Sequence, residues 1–375
     1  MDFLSGAGSY LIPFLIVLTV LVFVHELGHY WVARRNGVRI DVFSIGFGPE
    51  IFGRTDKAGT RWKFSAVPLG GYVKMFGDAN AASAPDTEGA SHMTAEERSQ
   101  AFPHKTLGQR AAIVAAGPIA NFVFAIVVLA GLFMSFGHPF PPPVVGGVQA
   151  DSAAAEAGFQ QGDEIVAVDG RDIIRFAELS LAVQRSDGAA MTFTVERDGA
   201  TRQIEVAPRA TTYVTPEGEE ITLHRVGIAA ETGPFGPISS VGRAVDETVT
   251  LTIVTFRALG EMIVGERGTE ELGGPIRIAQ LSGDVAQIGV VALIWFMAIL
   301  SINLGLINLF PVPMLDGGHL LFYAVEALRG RPLSERAQEY GFRLGLALVL
   351  TLMLFVTWND LVHLEVFAYL KGMIS

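Results

Sequence analysis

The chain has 375 residues, of which 50% are hydrophobic and 17% are charged, and its mean hydropathy is +0.41. Soluble proteins are about a quarter charged, so this composition argues against a disordered chain and against an ordinary cytosolic enzyme. The formal charge of −11 argues against general nucleic-acid binding. Because the sequence contains no cysteine, a disulfide framework, a thiolate nucleophile and a cysteine-ligated metal are excluded.

Four stretches of the sequence are apolar and long enough to span a bilayer, which requires roughly 20 helical residues. They begin near Tyr10, Ala111, Ile288 and Leu344. A signal peptide is the alternative for the first stretch, but the only charge before it is Asp2 and no small-residue cleavage site follows. We therefore expect four retained transmembrane helices.

Basic residues distinguish the two sides of these spans. Residues 34–110 contain eleven Lys or Arg residues, whereas residues 1–33 and 137–155 contain none. The positive-inside rule then predicts that residues 34–110 and the loop between spans three and four are cytoplasmic. Both termini and the large outer segment, residues 137–287, are expected on the opposite side of the membrane.

The connecting segments differ in character. Alternating aromatic and β-branched residues with glycine punctuation predict strands in residues 40–76, apolar enough to lie against or dip into the membrane. Residues 78–100 are small and polar, which is typical of a mobile linker. Residues 144–230 predict an independently folded domain of short strands and two helices. Apolar periodicity over residues 237–264 predicts an amphipathic helix, either on the membrane surface or packed on the outer domain.

The candidate chemistry lies in the first span, in the sequence His25-Glu26-Leu27-Gly28-His29. On a helix the two histidines are four positions apart, so both imidazoles leave one face and can bind one Zn²⁺. Glu26 is then placed to take a proton from metal-activated water. Ionisable residues are costly within a bilayer, which favours a functional site; the alternative is a helix end whose side chains reach interfacial water.

A catalytic zinc needs a third protein ligand, and the candidate lies at the end of the third span, in the sequence NLFPVPMLDGGH at residues 308–319. Two prolines break the helix at membrane depth. The following turn can bring Asp316 to the metal, although a helix cap is the ordinary role of such an aspartate. His319 is the rival ligand.

These motifs together resemble a known family. The HELGH sequence, the NLFPVPMLDGG sequence, the segment GFGP…FSAVPLGGYVKMFG and the PDZ-like sequence SAAAEAGFQQGDEIVAVDG occur in the order that is typical of site-2 proteases. These are intramembrane zinc metalloproteases, and the chain is most similar to the type represented by the bacterial regulator of sigma-E protease. It differs in having room for one PDZ-like domain, whereas well-known members carry two in tandem.

The resemblance implies roles for the residues of the two motifs. It implies that zinc is held by His25, His29 and Asp316 and that Glu26 is the general base. Zn²⁺ is accordingly the expected cofactor.

Substrate contacts are expected at two further places. The resemblance implies that Asn308, and as a weaker candidate Asn303, binds the substrate backbone or polarises its carbonyl group. An exposed strand edge in residues 43–48, which include Gly46, Phe47 and Gly48, or in residues 64–73 could bind an unwound substrate by strand addition. An ordinary structural hairpin is the equal alternative for this segment.

The expected fold is a polytopic α-helical membrane protein with four transmembrane helices, a membrane-associated β-hairpin or β-sheet loop and one extracytoplasmic PDZ-like α+β domain. Its parts in chain order are the first span with HExxH (1–36), the β-loop (37–77), a flexible linker (78–107), the second span (108–137) and the PDZ-like domain (144–230). They continue with a surface-helix region (236–284), the third span with LDG (286–320), a cytoplasmic loop (321–340), the fourth span (341–363) and a C-terminal tail (364–375).

The expected function is zinc-dependent cleavage of single-span membrane proteins in a bacterial inner membrane. Anti-sigma factors already cut outside the membrane, and remnant signal peptides, are the candidate substrates. The PDZ-like domain is expected either to bind C-terminal peptide tails or to exclude bulky outer domains. The alternative function is a non-catalytic PDZ receptor with a structural zinc site.

Overall fold

A computed structural model describes residues 2–78, 93–139, 141–214, 220–266, 268 and 273–363. Residues 79–92 of the expected linker and the whole expected C-terminal tail lie outside the described residues. The chain forms two compact units, the first comprising Met1–Ala130 with Val241–Ser375 and the second comprising Gly131–Ser240.

The helices and strands follow one another in the order of the sequence. The α-helices are α1 Asp2–Arg35, α2 Ala95–Gln100, α3 Leu107–Phe136, α4 Ala153–Ala157, α5 Phe176–Arg185, α6 Pro237–Val264, α7 Pro275–Ile288, α8 Val290–Leu309, α9 Asp316–Arg329 and α10 Glu335–His363, with a 3₁₀ turn at Phe102–His104. The strands are β1 Ile40–Thr55, β2 Arg61–Met75, β3 Val145–Val148, β4 Glu164–Val168, β5 Arg171–Asp172, β6 Met191–Arg197, β7 Ala200–Val206, β8 Arg209–Val214, β9 Glu220–Arg225 and β10 Ile228–Ala230.

Among the described residues, four helices are long and apolar enough to cross a membrane, which confirms that part of the expected fold. Their apolar segments are Gly8–Arg35, Leu107–Phe136, Val290–Leu309 and Arg336–Val362. The most apolar part of the last is only 6% buried within the protein, against 44% for that of Leu107–Phe136. An apolar helix that protein covers so little suits a lipid environment.

In the first unit, β1 and β2 form a sheet in which both strands bend. Phe43 pairs with Val73 on one side and with Trp62 on the other, so the first half of β1 lies between the two halves of β2. The ring of Phe43 stacks on that of Trp62 with a centroid separation of 4.2 Å and contacts the ring of Tyr30 in α1 edge-on at 5.8 Å. This aromatic contact, with Phe43 only 1% exposed, anchors the sheet on α1.

The turn between β1 and β2 is held by one carboxylate. Asp56 accepts hydrogen bonds from the backbone N–H groups of Ala58 and Thr60 and from the indole N–H of Trp62, at 2.8–3.0 Å. These bonds satisfy donors that a tight turn otherwise leaves to solvent.

The structure divides the 236–284 region into the two helices α6 and α7. Helix α7 packs closely against α1, where a Cβ on Gly283 would overlap Tyr10. Its first turn is capped by Asp360 of α10, which accepts from the backbone N–H groups of Gly274, Ile276 and Arg277 at 2.8–3.1 Å. The first four N–H groups of a helix have no partner within the helix, so this carboxylate ties α10 to α7.

The second unit has its own core. Its four-stranded sheet has the order β5-β4-β6-β7. In addition, β10 pairs with β3 and β8 pairs with β9, both antiparallel. Alternate strand residues such as Ile165, Phe193 and Val195 are fully buried against Leu179 of α5. Buried Asp163 pairs with Arg197 through two contacts of 2.5 and 2.6 Å. We call residues 144–230 the PDZ-like module.

Candidate active site

Helix α1 presents two imidazoles on one face. His25 and His29 are one helical turn apart, with ring centroids separated by 4.8 Å and their Nε2 atoms 3.2 Å apart. Two ring nitrogens at this distance, directed at the same point, suit a shared cation.

Asp316 completes the cluster from the start of α9. Its Oδ2 lies 3.1 Å from Nε2 of His25, and its Oδ1 lies 3.6 Å from Nε2 of His29. One ligand atom from each residue lies within 4.8 Å of the others, and this is the group of three metal-binding side chains found among the described residues. The buried Oδ2 has no hydrogen-bond partner. Two imidazoles and a carboxylate whose buried Oδ2 has no hydrogen-bond donor fit Zn²⁺.

Groups behind the histidines fix which nitrogen faces the cluster. Nδ1 of His29 lies 2.9 Å from the carbonyl oxygen of Ile113, to which it donates in the tautomer that leaves Nε2 free. Nδ1 of His25 lies 3.2 Å from the side-chain nitrogen Nδ2 of fully buried Asn121, whose Oδ1 lacks a donor. If this amide is oriented with Oδ1 toward the ring, it accepts the Nδ1–H of His25.

Sequence reasoning did not identify Asn121 as a site residue. An amide within a long apolar span is a usable signal, because polar groups there need partners. Its backbone carbonyl accepts a hydrogen bond from Ser301 of α8 at 2.9 Å. The residue therefore joins α3 both to the cluster and to α8.

The cluster exists because α1 and α3 approach very closely. A Cβ on Gly28 would overlap the backbone carbonyl of Ala116, and a Cβ on Gly117 would overlap the imidazole of His29. The same Cβ on Gly117 would lie 2.9 Å from Cε1 of His25. Only glycine lacks the Cβ that these positions exclude.

The loop between α8 and α9 is irregular, as the two prolines predict. Helix α8 ends at Leu309, and Met314 has a φ of 91°, a conformation that a residue with a Cβ rarely adopts. The amide of Leu315 donates to the carbonyl of Val312 at 3.0 Å. This loop places Asp316 at the first position of α9.

A cavity of about 200 Å³ opens beside the cluster. Glu26 lines it and accepts a hydrogen bond from the backbone N–H of Val73 in β2. Its other lining residues are His25, His29, Gly71, Tyr72, Val73, Met75, Val114, Asn308, Met314, Leu315, Asp316, His319 and Phe342. A carboxylate, three metal-binding groups and a strand edge therefore share one small cavity, where a peptide could meet both metal and base.

The expected substrate residues lie at different distances from this cavity. Asn308 lines it, whereas Asn303 accepts a hydrogen bond from Thr255 of α6 at 3.3 Å. Phe47 does not line it but stacks on Tyr72, which does, at 6.1 Å. Gly46 and Gly48 form the bend of β1, with φ values of 89° and 87°.

His319, the rival ligand, lines the cavity but is not in the three-residue cluster. Its ring lies 5.3 Å from that of Phe342. Asp316, rather than His319, is therefore the third donor in this arrangement.

Comparison with known proteins agrees with this geometry. The profile of peptidase family M50 matches residues 13–352. A protein of Agrobacterium fabrum described as a "putative zinc metalloprotease" is 48% identical, and the alignment covers 96% of both chains. Metalloprotease MmpA of Caulobacter vibrioides is 39% identical over 97% of this chain and 98% of its own. The regulator of sigma E protease of Salmonella typhi is 34% identical over 93% of this chain and 98% of its own. The chain therefore belongs to peptidase family M50, the site-2 proteases, and is a metalloprotease.

Proposed function

We propose that the chain is an intramembrane zinc endopeptidase that cuts single-span membrane proteins within their membrane segment. One observation carries this proposal: His25, His29, Asp316 and the carboxylate of Glu26 share a cavity between apolar helices. When bound there, Zn²⁺ would supply Lewis-acid polarisation and lower the pKa of an attacking water to about 7.

The residues of this chain would do the remaining chemistry. Glu26 accepts the proton of the attacking water and delivers it to the leaving amine nitrogen. Asn308, which lines the same cavity, donates a hydrogen bond to the carbonyl oxygen as it gains negative charge. The Val73 N–H that binds Glu26 keeps the carboxylate beside the substrate.

The edge of β2 can supply the backbone hydrogen bonds that a helical substrate loses when it unwinds. A peptide bond in a helix has its carbonyl bonded to the amide four residues on, so the substrate must unwind before attack. In the described part of the chain, residues 71–75 pair with β1 on one edge and with no strand on the other. Because Gly71, Tyr72 and Val73 line the cavity, an unwound segment can add to this free edge.

Gly46, Phe47 and Gly48 remain part of this proposal as residues that act on the substrate through Tyr72. These three residues form the bend of β1, and the ring of Phe47 supports that of Tyr72 by stacking on it. Asn303 retains a predicted role in substrate binding. Because it accepts a hydrogen bond from Thr255, a substrate bound at Asn303 would be linked through this bond to α6.

The PDZ-like module is proposed to select substrates. A groove of about 670 Å³ runs along residues 147–149, α5 and residues 224–229, and a sheet edge beside a helix is where such domains bind C-terminal tails. A size filter that excludes bulky outer domains is the alternative. Unchanged cleavage of an intact, unclipped substrate after deletion of residues 144–230 would contradict both roles.

We place the protein in a bacterial inner membrane as a multi-pass protein. Both termini and the PDZ-like module would face the periplasm, and the active site would lie near the cytoplasmic side. Anti-sigma factors already cut in the periplasm, and remnant signal peptides, are the proposed substrates, which links the enzyme to an envelope stress response.

The test compares Glu26→Gln with the wild type on a tagged single-span substrate. Loss of the general base is expected to lower the cleavage rate about 10²–10⁴-fold, while zinc content stays near that of the wild type. Glu50→Gln is the matched control, because Glu50 is a carboxylate on β1 paired with Arg61 outside the cavity. Undiminished cleavage by Glu26→Gln would contradict the mechanism, whereas absence of cleavage by the wild type would favour a non-catalytic PDZ receptor with a structural zinc.

A further inference from the structure

A second cavity lies against the active-site cavity. It has a volume of about 360 Å³, and His319 and Phe342 line both cavities. Its full lining consists of Phe102, Pro103, Arg110, His319, Phe322, Tyr323, Glu326, Pro332, Leu333, Gln338 and Phe342. The two shared side chains thus form the partition between the cavities.

We propose that this second cavity is a substrate subsite, which receives the unwound chain on one side of the scissile bond. The inference rests on the proposed function, because it needs a peptide extended through the active-site cavity.

The course of β2 supports this path. Residues 71–75 lead along the active-site cavity to Met75. Immediately beyond, the carbonyl of Phe76 accepts a hydrogen bond from the N–H of Phe102 at 2.9 Å. Phe102 and Pro103 then line the second cavity. A peptide added to the β2 edge advances about 3.3 Å per residue, so it reaches this second cavity within a few residues of the catalytic group.

The charges of the second cavity indicate what it binds. Arg110 pairs with Glu326 at 2.6 Å, and their side chains are 17% and 18% exposed. The Arg110 guanidinium also lies 4.9 Å from the ring centre of Tyr323. Because the two charges cancel, the cavity suits an uncharged ligand better than an anion.

One donor in this pair remains available. The Nε of Arg110 is buried and has no hydrogen-bond partner among the described residues. A buried donor without an acceptor is costly, and a shift of the Arg110 side chain toward the cavity would let a backbone carbonyl of an unwound peptide satisfy it. The aromatic and proline residues of the lining would accommodate the apolar side chains that a membrane segment carries.

Cysteine cross-linking tests the path directly, because the chain has no cysteine of its own. Full-length Glu26→Gln protein would carry Gln338→Cys or Leu333→Cys, and the substrate would carry one cysteine at successive positions. Tyr72→Cys reports on the active-site cavity. Tyr340→Cys is the matched control, since Tyr340 lies on the same helix as Gln338 but is 70% exposed and lines neither cavity.

The expected result is a disulfide from Gln338→Cys and Leu333→Cys to substrate positions displaced to one side of those that Tyr72→Cys captures. Capture by Tyr72→Cys alone, or a pattern at Gln338→Cys equal to that at Tyr340→Cys, would overturn the subsite. Absence of capture by Tyr72→Cys would instead count against the proposed function.

A kinetic variant gives an independent readout. Leu333→Trp in the active enzyme fills the cavity and is expected to raise KM about tenfold with little change in kcat, because it removes uniform substrate binding. A KM equal to that of the wild type would contradict the subsite.

Discussion

Two residues of α3 control the histidine pair of α1 without lining the active-site cavity. Gly117 allows the imidazoles to lie against the backbone of α3, and Asn121 contacts Nδ1 of His25. Outer groups of this kind fix the tautomer and orientation of a metal ligand. The geometry of the proposed zinc ligands therefore depends on α3 as much as on α1.

The first prediction concerns the space at Gly117. In Gly117→Ala the new Cβ overlaps the ring of His29, so we expect displaced ligands, bound zinc well below one equivalent and loss of cleavage. Overpacking of this kind typically also costs about 1–3 kcal/mol of stability. Zinc analysis and thermal unfolding of the purified protein would measure both effects.

Gly108→Ala is the matched control for this change. Gly108 lies in the same helix, and a Cβ there would have no atom within 4 Å. Full zinc occupancy in Gly117→Ala would show that α1 and α3 do not approach as closely as described.

The second prediction separates positioning of a ligand from contact with substrate. Asn121→Ala removes the partner of His25 and is expected to lower zinc affinity about 10–100-fold, as measured by competition with a chelator. Asn308→Ala should instead keep zinc and lose cleavage, because Asn308 lines the cavity beside the cluster. Equal zinc affinity in Asn121→Ala and the wild type would contradict the positioning role.

The sequence was sufficient to predict which three side chains cluster as candidate ligands, but not which residues support them. The spacing of His25 and His29 within one helix is a local property, and a carboxylate in a Gly-flanked turn is a recognisable third ligand. The contact between Asn121 and His25 joins residues 96 positions apart and depends on helix packing. Periodicity contains no information on such a contact, although an amide in an apolar span marks a place where one is needed.

At the level of elements, too, local features were predictable from the sequence and packing was not, as the long helices and the bent sheet show. Apolar length alone predicted the four long helices, because each must satisfy its backbone internally in lipid. Alternation predicted strands in residues 40–76, but it did not show that Phe43 pairs with both Val73 and Trp62. That arrangement follows from the bends in both strands, and it brings the β2 edge to Glu26.

The third prediction concerns the ion pair in the PDZ-like module between Asp163, the residue before β4, and Arg197 at the end of β6. Burial would raise the pKa of the Asp163 carboxyl, but hydrogen bonds from Arg197 and from the N–H of Gln160 outweigh it and hold the pKa below its usual range. A pKa lower in the folded than in the unfolded state means that this contribution to stability is present above about pH 4. It is lost as the pH falls through the folded-state pKa.

Urea unfolding of residues 141–233 between pH 7 and pH 3 would measure this dependence. Asp163→Asn breaks a pair whose carboxylate is fully buried, so it should lower the free energy of unfolding by about 3–5 kcal/mol at pH 7. The difference from the wild type should shrink toward pH 3. Glu156→Gln is the control, since its ion pair with Arg209 is exposed and should contribute at most about 1 kcal/mol. A difference that is constant with pH would contradict the assignment.

At the level of the whole molecule, the net charge of −11 is confined to one part of the chain. Residues 137–285 contain 22 acidic and 11 basic residues, a net charge of −11, and the remaining residues have equal numbers of each. The segment next to the metal motif is instead basic, with Arg34 and Arg35 in the last turn of α1. Because the positive-inside rule counts Lys and Arg near the helix ends, Arg34 and Arg35 predict a cytoplasmic loop, whereas residues 137–155, which contain no Lys or Arg, predict that the outer segment is translocated.

The last prediction tests this orientation with two single cysteines in a chain that has none. Ala58 lies in the exposed turn between β1 and β2, and Ala200 lies at the exposed start of β7 in the PDZ-like module. In intact spheroplasts, a membrane-impermeant maleimide should label Ala200→Cys at once, and Ala58→Cys only after permeabilisation. Both positions are exposed in the fold, so burial cannot account for a difference between them. Labelling of Ala58→Cys in sealed spheroplasts would reverse the orientation, and Glu26 would then draw its water from the periplasmic side.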